Sequence, residues 1–577
     1  MASHDFDPDV EAVPPTETEL SSVMDANERR RAALARIDQA KFGWHHVRAV
    51  VVAGVGFFTD SYDIFAINLA VSMLGVVYWQ GAKSGAGKLP SSADTAIKVA
   101  TSGGTVIGQL FFGWLADRIG RKRMYGIELM IIILATLAQS LSSASPGMSI
   151  VGVLIFWRVI MGIGIGGDYP LSSIITSEFA TTKWRGAMMG AVFAMQGIGQ
   201  FAAAIVALIV TAGFKESLQT AKDVAHCSGV CQLAVDKMWR TVIGFGAVPA
   251  CAALYYRLTI PETPRYTFDV SRDILKADED IRAYIKGHPE GHPDEIQRIR
   301  VLRNESIEFL APKASWADFR RHYGQWKNFK VILGTAGSWF FLDIAFYGLG
   351  LNNSIILSAI GWTGGKNVYE TFYRNAVGNL ILVCAGAIPG YWFTVGTVDT
   401  LGRQPIQMAG FLILTIIFFI IGGAYDHLKK YHGGLLALYV LAQFFFNFGP
   451  NATTFIVPGE CFPTRYRSSS HGISAAAGKV GAIIAQCVFG PLVHKGAKPG
   501  SGDSPWLNHV MQIFGGFMFC GLLTTWLIPE TKRRTLEELS GEDQSSHHEN
   551  LTARVQEKPE ENNLPKQVPA TNTVQGE

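Results

Sequence analysis

The sequence predicts an all-α membrane protein with twelve transmembrane helices in two halves of six, and with both termini in the cytoplasm. Three observations lead to this prediction: the composition, the number of apolar stretches and an internal repeat. Of 577 residues, 48% are hydrophobic, only 17% are charged and 61 are glycine. Such a chain is too apolar and too rich in glycine to be an ordinary soluble enzyme.

About twelve stretches have the roughly 20 apolar residues that a membrane-spanning helix needs. They begin near Ala49, Thr95, Gly126, Ser149, Gly186, Trp239, Phe329, Tyr369, Pro405, Gly434, Gly472 and His509. The first 43 residues are polar and include "NERRR", so we expect no signal peptide there.

Lysine and arginine concentrate in alternate loops, although the net charge is only +3. The sequences "DRIGRKR", "TTKWRG", "TRYRS" and "PETKRR" follow the second, fourth, tenth and twelfth stretches, and the positive-inside rule places them in the cytoplasm. We therefore predict a cytoplasmic N-terminal tail (1–43), a first half (44–267), a cytoplasmic linker (268–327), a second half (328–540) and a disordered cytoplasmic tail (541–577).

Three short patterns occur twice in the chain. "LADRIGRK" and "SEFATTKWRG" reappear as "TVDTLGRQ" and "GECFPTRYRS" at an offset of 282 residues (399 minus 117, and 460 minus 178), and "IPETPR" reappears as "IPETKR". The second half is thus a repeat of the first. Acids and arginines at cytoplasmic helix ends favour ion pairs that latch neighbouring helices, although such residues can also serve only to orient helices in the bilayer. The predicted latch residues are Asp117, Arg121, Glu178, Arg185, Glu262 and Arg265 in the first half, and Asp399, Arg403, Glu460, Arg467 and Glu530 in the second.

A glycine motif, G-x-G-x-x-G, occurs at Gly162, Gly164 and Gly167. In a dinucleotide-binding protein this motif follows a strand and opens a helix of a soluble βαβ unit. Here it lies inside a membrane-length apolar stretch. Gly162 and Gly166 also form G-x-x-x-G, which favours close helix packing over nucleotide binding.

Several ionisable residues fall inside apolar stretches, where each is a functional hypothesis. Asp60 and Asp63 are three residues apart and share a helix face. Two close carboxylates in a low dielectric cannot both ionise cheaply, which favours a proton carrier; a helix N-terminus or a wet vestibule is the alternative. Arg158 precedes Asp168 by ten residues, about 15 Å along the helix. We expect Asp168 to share Arg158 with Asp60 or Asp63 across helices, so that protonation releases the arginine, unless the pair is purely structural.

A second group of residues suits an anion. Trp339, Asp343 and Tyr347 form one stripe of a helix, while Lys479 and Asn451 have small neighbours that leave room for a ligand. For Lys479, snorkelling to the membrane surface is the alternative. A carboxylate accepts but cannot donate a hydrogen bond, so Asp343 would bind an oxyanion that still carries O–H, such as dihydrogen phosphate, and repel sulfate. The predicted substrate-binding residues are Tyr169, Gln196, Trp339, Asp343, Tyr347, Asn451 and Lys479.

The segments "FTDSYDIFAINL", "GGDYPLSSIITSEFA", "GSWFFLDIAFYGLGLN" and "NFGPNATTFIVPGECFPTRYRS" resemble signatures of fungal and plant proton-coupled inorganic phosphate symporters, the high-affinity phosphate permeases of the major facilitator superfamily. The resemblance implies the major facilitator fold, whose halves rock about a central site. It also implies phosphate import with protons across the plasma membrane by alternating access. The implied proton-coupling residues are Asp60, Asp63, Asp168 and Arg158. The second copy of "DRIGRK" departs from the pattern, because Gln404 replaces its lysine.

Three other functions stay open on the sequence: a sugar porter, a glycerophosphodiester porter and a phosphate-sensing receptor. We find no nucleophile with a neighbouring base and no metal cluster, so we expect neither an enzyme nor a cofactor or metal. The expected partners are phosphate, protons, the lipid bilayer and cytoplasmic regulators of the linker and tails, but not nucleic acid. In "HCSGVC", the sequence allows a disulfide between Cys227 and Cys231, and makes zinc a poor alternative.

Overall fold

The computed structural model describes residues 34, 37–81, 86–258, 263–269, 314–496 and 504–541. Within these residues the chain is helical, and its only β pairing is an isolated bridge between Ser145 and Met148. Ten of the described segments are long and apolar enough to cross a membrane. Two more complete the predicted twelve: Ser91–Ile119, which has 29 residues and carries charges, and Ile127–Leu141, a shorter apolar helix of 15 residues.

Each half contributes six of these segments, several of them interrupted. The first half contains α1 (Trp44–Tyr78), α2 (Ser91–Ile119), α3 (Ile127–Leu141), α4 (Ile150–Phe179), α5 (Arg185–Gly213) and α6 (Val230–Gly244 with Ala247–Leu258). The second half contains α7 (Trp326–Gly350), α8 (Val368–Leu382 and Ile388–Leu401, joined by the π-helical turn Val383–Ala387), α9 (Arg403–Gly423), α10 (His432–Asn447 with Pro450–Cys461), α11 (Arg467–Val493) and α12 (Leu507–Thr525).

Short helices lie between and beyond the spans. They are Arg121–Met124, Lys215–Gln219, Pro264–Asp269, Trp316–Tyr323, Asn353–Ala359, Tyr425–Leu428 and Leu536–Ser540, with 3₁₀ turns at Val224–His226 and Thr464–Tyr466. The sequence placed the start of the sixth span near Trp239, whereas α6 begins at Val230. The first turns of α6 contain Asp236 and Lys237, so they lack the apolar character that marks a span.

The glycines of α4 serve helix packing, as predicted. A Cβ on Gly166 would lie 2.4 Å from the carbonyl oxygen of Thr105 in α2, and a Cβ on Gly108 would lie 2.1 Å from that of Ile163 in α4. Both distances are far inside van der Waals contact, so α2 and α4 approach this closely only because both residues are glycine. No strand precedes the motif in the described part of the chain, which removes the structural context of a dinucleotide site.

The loop between α5 and α6 contains the disulfide that the sequence allowed, with Cys227 bonded to Cys231. Just before it, the carboxylate of Asp223 accepts hydrogen bonds from the backbone N–H groups of Ala225 and His226. A side-chain hydrogen bond from His226 also lowers the pKa of Asp223. The disulfide and these bonds organise the connection that leads into α6.

Candidate substrate site and coupling network

A buried ion pair joins helix α7 to helix α11. Asp343 Oδ2 and Lys479 Nζ are 2.7 Å apart, and the two side chains are 1% and 3% exposed. Lys479 therefore does not snorkel to the membrane surface. The other oxygen of Asp343, Oδ1, accepts no hydrogen bond from the described residues.

Two tyrosines, one from each half, enclose the ammonium group of Lys479. Its Nζ lies 4.1 Å from the ring centroid of Tyr347 and 5.2 Å from that of Tyr169. These distances are typical of cation–π contacts. The hydroxyls of Tyr169 and Tyr347 are 3.4 Å apart, so the two halves meet at the lysine.

A chain of polar groups continues from Tyr169 across the interface between the halves. Gln196 donates to the hydroxyl of Tyr169 at 3.0 Å, and the hydroxyl of Tyr391 donates to Gln196 Oε1 at 3.2 Å. Asn451 in turn donates to the hydroxyl of Tyr391 at 2.8 Å. Tyr391 was missed by the sequence analysis, because in "IPGYWFTVG" nothing distinguishes it from the surrounding apolar and aromatic residues.

Trp339 completes the cluster, with its ring centroid 6.3 Å from that of Tyr169. A Cβ on Gly478 would lie 2.5 Å from Cδ1 of Trp339 and 2.9 Å from Oδ2 of Asp343, so a glycine is needed there. The structure thus brings all seven predicted substrate-binding residues into one buried cluster, and their role as ligands stays a prediction. The described residues contain no group of three His, Cys, Asp or Glu side chains that could hold a metal ion.

The predicted partnership of Asp168 with Arg158 is wrong. Asp168 Oδ2 instead pairs with Arg257 Nη2 at 2.6 Å, and Nη1 of the same arginine pairs with Glu128 Oε1 at 2.9 Å. The guanidinium also lies over the ring of Tyr125, 4.2 Å from its centroid. Ten residues of helix separate Arg158 from Asp168 by about 15 Å, whereas α6 brings Arg257 to the level of Asp168.

Asp60 adjoins this network. Its side chain is fully buried, neither of its oxygens accepts a hydrogen bond from the described residues, and the carboxyl group of Asp168 lies beside it. Ser172 Oγ donates to the other oxygen of Asp168 at 2.5 Å. Asp60 and Asp168 thus form a pair of buried acids, whereas the sequence predicted that Asp60 would pair with Asp63.

Asp63 and Arg158 belong to a separate group. Asp63 Oδ2 accepts a hydrogen bond from Thr136 at 2.9 Å, while Arg158 donates to the carbonyl oxygen of Ile97 at 3.0 Å and to Gln139 Oε1 at 3.4 Å. No carboxylate of the described residues forms an ion pair with Arg158. The four predicted coupling residues therefore fall into two groups.

Glu128 and Arg257 are the ionisable partners in the network of Asp168 that the sequence did not predict. They stand in "GIELM" and "YYRLT", at the ends of apolar stretches, where charges normally mark a helix boundary. Both side chains are nevertheless fully buried. Their position at the helix ends gave no indication that the fold would direct them inwards.

At the end of the helices that the sequence places in the cytoplasm, the predicted ion pairs are present. Arg121 lies 3.4 Å from Asp117 and 3.6 Å from Glu178, and Glu178 also pairs with Arg467 of the second half at 3.1 Å. In the second copy, Arg403 pairs with both Asp399 and Glu460 at 2.8 Å.

The repeat also caps two helices across the interface between the halves. Asp117 accepts hydrogen bonds from the backbone N–H groups of Ser468 and Ser469, at 3.2 and 2.7 Å, in the first turn of α11. Asp399 does the same for the first turn of α5, where Gly186 and Ala187 donate at 3.2 and 2.8 Å. Charge-assisted bonds to helix N-termini thus join the halves twice, in a symmetric way.

Glu530 and Gln404 complete the second copy. The carboxylate of Glu530 accepts hydrogen bonds from the backbone N–H groups of Arg403 and Gln404 at 3.1 and 3.0 Å. The amide of Gln404 donates to the carbonyl oxygens of Thr525 and Ile528, so the residue that departs from the pattern still anchors its helix. Glu262, the matching acid of the first copy, lies outside the described residues.

Residues near both termini join this cytoplasmic cluster. Asp38 lies 3.0 Å from both Arg185 and Arg265, and Glu537 lies 2.8 Å from Arg265. Burial opposes the charge of Arg265, but Asp38 and Glu537 outweigh it and hold the pKa of this arginine above its ordinary value. Asp38 and Glu537 were not predicted, because each lies in a polar segment without an apolar pattern.

The opposite end of the interface is closed by polar bonds. Lys98 of the first half donates to Asn352 of the second at 2.9 Å, and Asn68 donates to Asn379 at 3.4 Å. The central cluster is therefore shut off on both sides in this conformation.

The chain matches known proteins in both sequence and fold. The family described as "Sugar (and other) transporter" matches residues 49–542. A repressible high-affinity phosphate permease of Neurospora crassa is 65% identical over 522 residues, 90% of each chain. The inorganic phosphate transporter PHO84 of Saccharomyces cerevisiae is 56% identical over 530 residues, 90% of this chain and 89% of the yeast protein. The solved structure of the proton:xylose symporter XylE of E. coli shares the fold, with a TM-score of 0.63 at 21% identity over 86% of this chain and 98% of the bacterial one.

Proposed function

Because the chain belongs to the sugar (and other) transporter family of the major facilitator superfamily, we propose that it imports inorganic phosphate together with protons by alternating access. The observation that carries the choice of substrate is the buried pair of Asp343 and Lys479. A sugar is neutral, so its binding site needs no buried cation, whereas the binding site of an anion does. The names of the fungal relatives support the same choice.

Dihydrogen phosphate matches the hydrogen-bonding groups of the central cluster. Lys479 supplies positive charge, and the hydroxyl and amide groups of Tyr347, Tyr391 and Asn451 exchange their present partners for the anionic oxygens when phosphate binds. Oδ1 of Asp343, which accepts no hydrogen bond from the described residues, accepts a P–OH group. Sulfate is fully deprotonated at neutral pH and offers no O–H, so it would meet this carboxylate as a like charge.

Protons are carried by the buried acids of the first half. Asp60 and Asp168 lie side by side, so that one proton relieves their repulsion. Protonation of Asp168 also removes one of the two carboxylates that hold Arg257. A cycle that moves net positive charge inwards gains about 2.3 kcal/mol per charge per 100 mV of membrane potential. This gain requires more protons than phosphate charges per cycle.

The predicted domains fit this mechanism. The halves 44–267 and 328–540 rock about the central cluster, and the bonds of Asp117 and Asp399 must break whenever the cytoplasmic side opens. We place the protein in the plasma membrane. The linker 268–327 and the tails 1–43 and 541–577 are the segments available to cytoplasmic regulators.

Uptake of radiolabelled phosphate into proteoliposomes with an imposed proton gradient tests the proposal. We expect the wild-type protein to accumulate phosphate only with the gradient, and sulfate, glucose and glycerophosphate not to compete. A hydrogen bond to a charged group contributes about 1.5 to 3 kcal/mol, so Asp343→Asn should lower uptake by about tenfold or more. Asp426→Asn is the matched control, because Asp426 is exposed.

Other outcomes would replace the proposal. Accumulation of glucose or of glycerophosphate in preference to phosphate would establish a sugar porter or a glycerophosphodiester porter. Binding of phosphate without accumulation under any gradient would establish a receptor. If Asp343→Asn transported phosphate normally, the carboxylate would have no part in substrate selection.

A further inference from the structure

Three phenylalanine rings close the central cluster on its cytoplasmic side. Phe57 and Phe193 of the first half lie 5.0 and 4.6 Å, centroid to centroid, from Phe455 of the second half. Each ring lies about one helical turn further towards the cytoplasm than a predicted site residue of the same helix. The reference residues are Asp60 for Phe57, Gln196 for Phe193 and Asn451 for Phe455. A substrate that leaves inwards must therefore pass this aromatic seal.

His471 of α11 lies against the seal. It is fully buried, and its ring centroid is 5.6 Å from the rings of both Trp339 and Phe455. Nε2 lies 3.3 Å from the carbonyl oxygen of Phe455. A carbonyl can only accept, so Nε2 carries the hydrogen of the neutral ring and Nδ1 is an acceptor. Nδ1 has no hydrogen-bond partner among the described residues.

Two buried hydroxyls face the same region from the first half. Ser173 and Thr176 follow Tyr169 by four and seven residues on α4, so all three lie on one face of the helix. The hydroxyls of Ser173 and Thr176 have no hydrogen-bond partner in the described part of the chain. Ser173 Oγ lies against Gly459, only 2.4 Å from the place of a Cβ on that glycine.

These groups meet around one stretch of α10. His471 contacts Phe455, and Ser173 contacts Gly459, which is one turn further along the same helix. Buried polar groups without partners are rare in folded proteins, and each needs an explanation. Here an acceptor from one half and hydroxyls from the other lie between the central cluster and the cytoplasmic ion pairs.

We propose that His471, Ser173 and Thr176 form an exit subsite for dihydrogen phosphate, which the anion occupies after the aromatic seal opens and before it passes the ion pairs of Glu178. The subsite rests on the proposed function. Nδ1 of His471 accepts a P–OH group, and the two hydroxyls donate to anionic oxygens. In the closed conformation these groups have no hydrogen-bond partner among the described residues. When the halves part, phosphate can form hydrogen bonds with these groups. These bonds favour the inward-open conformation while phosphate is bound.

A matched pair of substitutions separates this role from a structural one. In His471→Gln, the side-chain amide nitrogen stands near the position of Nε2 and can donate to Phe455, but the acceptor at Nδ1 is lost. In His471→Asn, the amide group stands near the position of Nδ1, and the bond to Phe455 is lost. An exit subsite requires the Asn variant to transport better than the Gln variant, whereas a structural role for the bond to Phe455 requires the opposite order.

Full-length wild type and variants are compared in two measurements: equilibrium binding of radiolabelled phosphate to the purified protein, and the initial rate of gradient-driven uptake into proteoliposomes. Loss of one hydrogen bond changes an equilibrium by about threefold to tenfold, so we expect His471→Gln to lower uptake by that factor while phosphate binding stays within about twofold. We expect Ser173→Ala to act in the same direction, and it carries the test if His471→Gln cannot be purified in a folded state.

The outcomes are distinguishable. If the wild-type protein accumulates no phosphate, the proposed function is wrong, whatever the results for the variants. Wild-type accumulation together with unchanged uptake in His471→Gln, or with better transport by the Gln than by the Asn variant, overturns the exit subsite alone. So does a loss of phosphate binding as large as the loss of uptake, because it would assign His471 to the central cluster.

Discussion

The guanidinium of Arg257 forms an ion pair with the carboxylate of Asp168, with 2.6 Å between Nη2 and Oδ2. The same guanidinium holds Glu128, and all three side chains are fully buried. One arginine therefore balances two acids that would otherwise be uncompensated charges in a low dielectric.

Arg257→Gln should accordingly destabilise the protein strongly. Breaking a buried ion pair by removing one partner costs about 3 to 5 kcal/mol. Arg158→Gln is the control, because Arg158 donates to a carbonyl oxygen and an amide and forms no ion pair among the described residues. We expect the thermal unfolding temperature of the detergent-purified protein to fall more for Arg257→Gln. An equal fall would mean that Arg158 also balances a buried acid.

Gly478→Ala should abolish transport by displacing two site residues. Its Cβ would lie 2.5 Å from Cδ1 of Trp339 and 2.9 Å from Oδ2 of Asp343, so the pair with Lys479 must shift. Gly490→Ala on the same helix is the control, since the nearest atom to its Cβ is Ser91 Oγ at 3.6 Å. A 1 Å misplacement can cost about 100-fold in rate. Phosphate uptake checks the prediction, and normal uptake by Gly478→Ala would show that this geometry is not required.

Asp117→Ala and Asp399→Ala should each favour opening of the cytoplasmic side, and by similar factors, because each acid caps a helix of the opposite half. Loss of a cap costs about 1 kcal/mol, or about a fivefold shift in population. The reaction rate of Cys461 with a maleimide measures opening, since Cys461 is only 6% exposed. The other free cysteines are replaced by serine for this assay.

Glu370→Gln is the control for these two variants, because Glu370 and its partner Arg374 form a partly exposed pair that spans only one helix turn. Glu370→Gln should leave the reaction rate of Cys461 with the maleimide unchanged. If only one of the two aspartate variants raised the reaction rate of Cys461, the symmetric caps would differ in energy. If neither variant raised it, the caps would not hold the cytoplasmic side closed.

Glu537→Gln should also raise the reaction rate of Cys461, by loosening the segment near the C-terminus from Arg265. Glu537 pairs with this fully buried arginine at 2.8 Å. The next residue provides the control: Glu538 lies 3.8 Å from Arg534, and both side chains are more than half exposed. Exposed pairs contribute about 0 to 1 kcal/mol, so Glu538→Gln should have little effect. Equal reaction rates of Cys461 in the two variants would show that the segment around Glu537 does not hold the cytoplasmic side closed.

Local patterns were sufficient for most of the fold. The apolar stretches predicted the spans because any helix in a bilayer must present an apolar surface over about 20 residues. Charged helices were harder, since α2 carries Asp94 and Lys98 in its first turns, and these side chains are compensated by each other and by Asn352. The offset of 282 residues between Asp117 and Asp399 predicted two related halves, and the two symmetric caps confirm them.

The sequence predicted seven residues of the candidate site, but it predicted neither Tyr391 nor the contacts between them. Asp343 and Lys479 stood out because charge is costly inside a membrane, and they proved to be partners. Tyr391 carries no charge, so only its contacts with Gln196 and Asn451 reveal its place in the cluster. Asp38 lies in a polar segment, and only folding shows that it reaches Arg185.

The sequence by itself determined that this chain spans a membrane twelve times in two repeated halves and that it buries an unusual set of acids, bases and phenols. The spans and the exceptional charges follow from the free energy of transfer into a bilayer, which acts on each segment separately, and the two halves follow from the repeat at an offset of 282 residues. Only the tertiary structure decided which charges meet. Arg257 rather than Arg158 reaches Asp168, because an ion pair depends on distances between helices that are remote in sequence, and no pattern along one helix contains those distances.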